Sequence, residues 1–148
     1  LAGERTPHMR ADLRGSFHGL SLASTEADMV RAVIEGVAFS LRDAFDVMRP
    51  LVGDGMPTRF LATGGGTVDD LWLETIATLF GREVARPLDD DGTAYEVGAA
   101  EGAAVLAWRG LSVTVDLTPA DERVFAPVPE REGLEDAYRR YLEISRRD

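Results

Sequence analysis

The chain has 148 residues, enough to bury one core, and it contains no cysteine, which excludes disulfides, thiolate chemistry and sulfur-held metals. Its net charge of −10 opposes a nucleic-acid partner, because a phosphate backbone calls for a basic face. All 16 basic residues are arginine and no Lys, Asn or Gln occurs, which we attribute to G- and C-rich coding; the lysine on which a P-loop depends is therefore absent.

No stretch approaches about 18 uninterrupted apolar residues and no basic-then-apolar leader is visible. We therefore expect no membrane span and a cytoplasmic protein. The opening Leu-Ala-Gly-Glu-Arg-Thr-Pro reads as the middle of a longer chain. Residues 1–14 are polar and irregular, with Glu4 and Arg5 read as a local ion pair or interface contact. Ser16 to Leu22 alternates as a short strand does, with Phe17 and Leu20 as its inward residues. Thr25 then fits an N-cap, with Asp28 at the third helical position. Val30, Val33, Ile34, Val37, Leu41, Phe45 and Met48 follow at three- and four-residue spacing, which predicts a long amphipathic helix ending before Pro50. Gly36 inside it costs about 1 kcal/mol relative to alanine, so it is either merely tolerated or marks the close approach of another element.

Thr58–Thr63 reads as a buried strand. Gly64, Gly65 and Gly66 follow, and then a helix from Asp69 or Asp70 to Phe80, terminated by Gly81. A strand that turns through glycine into a helix start brings an anion close to bare backbone and aims free N–H groups at it. The same three glycines also fit a tight turn and nothing more. Glu83–Arg86 reads as a short strand. Asp89, Asp90, Asp91 and Gly92 form a loop that is either a solvated acidic run or an oxygen site for a divalent cation. A helix from Tyr95 to Trp108, rich in Gly and Ala, allows tight packing against a sheet or a ligand. A proline-bearing tail follows Gly110, and Leu134–Arg147 reads as a last helix with Tyr138, Tyr141 and Leu142 on one face. Strands alternating with helices imply an α/β fold with helices packed on a sheet. His8 and His18 have no evident oriented partner and read as structural or solvated, and Glu35 as a surface or hydrogen-bonding residue. The glycine turn is thus the one feature with a clear mechanism.

Gly15-Ser16-Phe17-His18-Gly19-Leu20, followed by Asp28-Met29-Val30-Arg31-Ala32-Val33-Ile34-Glu35, resembles the second signature of the FGGY carbohydrate kinases. Leu1 to His8 resembles the segment before that signature in the branch acting on xylulose. Thr63-Gly64-Gly65-Gly66 with Leu71-Trp72 resembles the family's nucleotide loop, and Gly98-Ala99-Ala100 with Ala103 and Ala104 its small-residue helix. A second triplet, Gly102-Ala103-Ala104, leaves two registers for that helix, of which 98–100 is preferred. The resemblance implies that residues 1–148 are the C-terminal nucleotide-binding domain, an actin-like ATPase (ribonuclease H-like) fold with helices on a mixed sheet. The remaining strands and an N-terminal sugar-binding domain would lie upstream.

The resemblance further implies that Gly64, Gly65 and Gly66 lie against ATP, bound with Mg2+, and that Asp70 lies near the base and ribose. The family loop continues with Ala, a basic or polar residue and Ser; here it continues Thr67-Val68-Asp69, which puts carboxylates near a polyphosphate. The aspartate that deprotonates the sugar lies upstream in the family, so no catalytic residue is expected in this chain. Phosphoryl transfer depends on positioning and charge stabilisation, and a cleft with one wall supplies neither, so the chain alone is expected to bind ATP weakly or not at all, and not to turn over. The longer enzyme would phosphorylate a sugar hydroxyl: D-xylulose by the Gly3–His8 stretch, or alternatively ribulose, gluconate or glycerol. A non-catalytic actin-like module that binds nucleotide or a partner is the reading from a different class. A helix face uncovered by the absent domain would also allow a homodimer.

Overall fold

The computed structural model describes residues 3–95, 98–115, 121–129 and 133–145, and the chain divides into two compact units, Thr58–Val128 and the flanking Leu1–Pro57 with Pro129–Asp148.

In the flanking unit, helix α1 (Glu26–Val52) starts at a capping box. The Thr25 hydroxyl accepts from the Asp28 N–H at 3.2 Å, and the Asp28 carboxylate accepts from the Thr25 N–H at 2.9 Å. The helix outlasts its predicted end, with Pro50 inside the last turn. A proline there forfeits a single hydrogen bond, and the Gly53 N–H still reaches the Arg49 carbonyl beyond it. Ala38, Phe39, Asp43 and Phe45 are the buried residues of α1. Val30, Val33, Val37, Leu41 and Met48, expected inside, are instead 42% to 55% exposed. The reason is that α4 (Leu134–Ser145) packs on α1 along a narrow aromatic seam, and no other helix or strand of this unit faces the wider apolar stripe among the described residues.

That seam centres on Phe39, whose ring lies 5.8 Å from Tyr138 and 5.6 Å from Tyr141. The Tyr138 hydroxyl donates to Asp46 at 3.1 Å, and the Arg42 guanidinium sits 5.2 Å above the Tyr138 ring. Burial first, and the Asp46 hydrogen bond second, push the Tyr138 phenol above its ordinary value of 10.0. The folded state therefore holds that proton more tightly than the unfolded chain does. This contribution is complete below pH ~10 and is lost as pH rises above it. Denaturant midpoints measured across pH 9 to 12 are expected to fall more steeply for the wild type than for Tyr138→Phe; parallel profiles would contradict this.

Ser16–Leu22 is not a strand, and Phe17 and Leu20 are 46% and 57% exposed. Among the described residues the flanking unit contains no strand with which this segment could pair. A Cβ added at Gly36 would meet nothing within 4 Å, so the close approach expected there is not observed. His8 does have an oriented partner, its Nε2 lying 2.7 Å from Oδ2 of buried Asp43. Glu4 turns its carboxylate to the backbone N–H groups of His8 and Arg10 rather than to Arg5.

In the Thr58–Val128 unit, strands β1 (Arg59–Leu61), β2 (Glu83–Leu88) and β3 (Asp121–Phe125) form a mixed sheet in the order β1-β2-β3. β1 runs parallel to β2, pairing Arg59 with Glu83 and Leu61 with Ala85, and β3 runs antiparallel to β2, pairing Val84 with Phe125. The parallel pair requires a crossover, supplied by α2 (Asp70–Phe80). Leu73, Ile76, Ala77 and Leu79 form the buried face of α2, which packs against β2 and β3. Gly81 ends α2 as predicted, in the left-handed conformation (φ 61°), donating to the Ala77 and Thr78 carbonyls. Pro87 is tolerated in the middle strand because β1 pairing stops at Ala85 and the segment bridged at Leu88 to Ala94 calls only on the Pro87 carbonyl, which accepts from the Tyr95 N–H at 2.9 Å.

Helix α3 (Ala99–Gly110) begins after the predicted Tyr95, with Gly98 as its N-cap. Glu101 fixes that start, accepting from the Gly98 N–H and from the Tyr95 hydroxyl, both at 2.9 Å. No described residue of α3 is buried, and Leu106 and Trp108 are 70% and 49% exposed, so its small residues do not pack on the sheet. Arg147, the predicted end of the last helix, lies outside the described residues.

Candidate functional site: the glycine loop

Gly64, Gly65 and Gly66 leave β1 and wind into one tight turn, Gly65–Val68, before α2 begins. The start of α2 is not free to receive an anion, because Asp69 caps it, its carboxylate accepting from the Trp72 N–H at 3.1 Å. What the loop offers is therefore the glycine backbone itself.

The three glycines differ in what a side chain would meet. Gly64 has φ 100°, a conformation that strains any other residue. A Cβ on Gly66 would lie 2.9 Å from the Trp72 ring. Gly65 has neither constraint: its φ is ordinary and an added Cβ would meet nothing within 4 Å. The protein's own packing does not require glycine at 65, and the residue is exposed.

Thr67 closes the loop from beneath. It is only 2% exposed, and both its N–H and its hydroxyl donate to the Gly64 carbonyl, at 2.9 and 2.8 Å. The departure at Thr67 from the family pattern therefore faces inward, whereas Val68 is 68% exposed. Arg86, a buried cation on β2, donates through Nη1 to the Thr67 carbonyl at 2.8 Å and to Asp70 Oδ1 at 2.9 Å. Arg123 on β3 pairs with the other oxygen of Asp70 at 2.8 Å. Both guanidiniums also sit over the Phe125 ring, at 5.4 and 5.2 Å. Asp70 is thus held by two arginines, and its side chain remains 41% exposed beside the loop.

Sequence reasoning brought Gly64, Gly65, Gly66 and Asp70 to one place, and they are neighbours here. It missed Arg86 and Arg123. The signal for Arg86 was present: a charged residue amid Val84, Ala85, Pro87 and Leu88 is buried only if paired. The acidic run closes its own turn. Thr93 donates its N–H and hydroxyl to Asp91 at 2.9 and 2.7 Å, and these bonds hold the Asp91 carboxyl below its ordinary range. Among the described residues no group of three or more His, Asp or Glu could hold a metal, and no described helix is long and apolar enough to cross a membrane.

Residues 1–110 match the family model described as the FGGY family of carbohydrate kinases, C-terminal domain. A xylulose kinase from Staphylococcus epidermidis is 39% identical over 145 residues, covering 93% of this chain and 27% of its own length. A glycerol kinase from Gluconobacter oxydans is 35% identical, covering 96% of this chain and 29% of its own. The crystal structure of a xyloylose kinase from Brucella ovis superposes with a TM-score of 0.76 at 33% identity, over 97% of this chain and 29% of that one. This chain therefore spans under a third of the length of these relatives. The α/β fold with helices on a mixed sheet is the actin-like ATPase fold of these kinases. The chain belongs to the FGGY family of carbohydrate kinases and matches its C-terminal domain.

Proposed function

We propose that residues 1–148 serve as the nucleotide-binding C-terminal domain of a longer sugar kinase, with the glycine loop receiving the phosphates of ATP. The observation that carries this reading is the loop itself: Gly64 and Gly66 are held to glycine by backbone and packing, and a Cβ at Gly65 between them would meet no described atom within 4 Å, leaving the backbone open to a ligand. A side chain there would stand where a ligand's phosphate approaches the backbone. Gly64 and Gly66 complete that wall. Asp70, anchored but accessible, is suited to accept from a ribose hydroxyl at its edge. Mg2+ would arrive on the triphosphate as MgATP.

The longer enzyme would transfer the γ-phosphate to a sugar hydroxyl in the cytoplasm, using an N-terminal sugar-binding domain and a catalytic aspartate outside this chain. D-Xylulose is the substrate we favour, because the xylulose kinase relative is 39% identical over 93% of this chain and Gly3–His8 resembles the xylulose branch. Assayed against ketoses and polyols, the full-length protein is expected to turn over D-xylulose with the highest kcat/KM. A preference for ribulose, gluconate or glycerol would overturn the substrate, and no phosphorylation of any would overturn the activity. The isolated chain is expected to form a homodimer through the exposed α1 stripe, measurable by sedimentation at rising concentration.

A further inference from the structure

The most unusual group outside the glycines is Arg86. A guanidinium with its side chain only 11% exposed carries a desolvation cost that geometry must recover. A simple ion pair with Asp70 would account for one of its bonds. The second bond goes elsewhere, to the backbone carbonyl of Thr67, inside the glycine loop. Thr67 in turn grips the Gly64 carbonyl with two donors. A continuous line of hydrogen bonds thus runs from the centre of the sheet to the first glycine of the loop.

Building on the reading that this loop receives phosphates, we infer that Arg86 is a positioning residue for nucleotide binding: from beneath the loop it fixes the shape that Gly64, Gly65 and Gly66 present. It does so without standing on the outer surface. Its Nη1 is shared between Thr67 and Asp70, so it sets the loop and the start of α2 in one mutual register. Without it, the Thr67 carbonyl is left buried without its donor, and the loop must open to hydrate it. Asp70 keeps Arg123, so the helix start loses one anchor of two.

The test uses Arg86→Ala, Arg86→Lys and Thr67→Val in this chain, with MgATP affinity by calorimetry and amide exchange of the Thr67 N–H followed together. Arg86→Ala is expected to weaken MgATP roughly tenfold or more. It should also speed Thr67 exchange while α4 amides stay unchanged. Arg86→Lys, which keeps a cation, should recover part of both, and Thr67→Val should lose affinity in the same direction. If Arg86→Ala fails to fold, the lysine and valine variants decide the matter alone. Wild-type affinity in the variants would overturn the inference, as would a loss that follows only the unfolded fraction. Affinity lost on Gly65→Val but kept in the Arg86 variants would refute Arg86 and leave the loop reading standing. A wild-type chain that takes up no MgATP would refute both.

Discussion

Replacing Gly65 with valine is expected to weaken MgATP binding by about a hundredfold, some 3 kcal/mol, while leaving the fold and its thermal midpoint unchanged. The geometry makes this substitution unusually clean. At Gly64 any side chain strains the backbone, and at Gly66 it strikes Trp72, so a loss of binding there would be ambiguous. At Gly65 an added Cβ would meet no described atom within 4 Å, so a loss of binding there points to obstruction of something arriving from outside. Calorimetry with circular dichroism separates the outcomes. Binding equal to wild type would remove the phosphate-facing role of the loop, and a fall in the midpoint of several degrees would mean that Gly65 is needed structurally.

Leu73→Ala should produce the largest loss of stability, about 3 kcal/mol or more. Leu73 is 0% exposed on the face of α2 that packs against the sheet, and the deletion leaves a cavity that this face cannot close. For a unit of this size that corresponds to a fall of roughly 10 °C or more in the midpoint. The effect bears on function, because α2 carries Asp70 and its first turn abuts the glycine loop. Nucleotide affinity should fall only in proportion to unfolding, in contrast to Gly65→Val, where it falls without unfolding. A change below about 1 kcal/mol would mean that the core does not depend on Leu73.

The contrast between these two substitutions reflects what the sequence made legible. Caps were readable because their chemistry is local: Thr25 with Asp28, and Gly81, lie within one turn of what they terminate. The α1 stripe was readable as a helix but not as a buried face. Periodicity reports that a helix has an apolar side, not that a partner covers it, and here only Phe39, Phe45 and their neighbours are covered. Ser16–Leu22 alternates like a strand but has no strand beside it in its own unit, and pairing, not alternation, makes a strand. β3 escaped for the converse reason. Its sequence Asp-Glu-Arg-Val-Phe buries only Phe125, so an edge strand held by its ladder to β2 left no apolar pattern.

The candidate site divides in the same way. Its glycines were visible because three in a row after an apolar run is a local signal. Arg86 was visible as a charge in an apolar run, but its partners were not, because it meets Thr67 and Asp70 only once α2 packs on β2, and Arg123 reaches Asp70 only through the pairing of β3 with β2. The departure at Thr67-Val68-Asp69, which reads in the sequence as a threat to phosphate binding, resolves in three dimensions. Thr67 turns inward, Asp69 caps α2, and the acids are occupied by donors of the protein itself. On the proposed reading, these contacts are what would let the altered loop accept an anionic ligand.

Whether the glycine backbone itself meets the nucleotide is read by a proton–nitrogen correlation titration of this chain with MgATP to about 10 mM, a range that captures even millimolar affinity. The amide resonances of Gly64, Gly65 and Gly66 are expected to move together along one saturable curve, and the movement to be absent in Gly65→Val. Saturable binding that leaves those three amides where they were would contradict this, as would no response at all at the highest concentration.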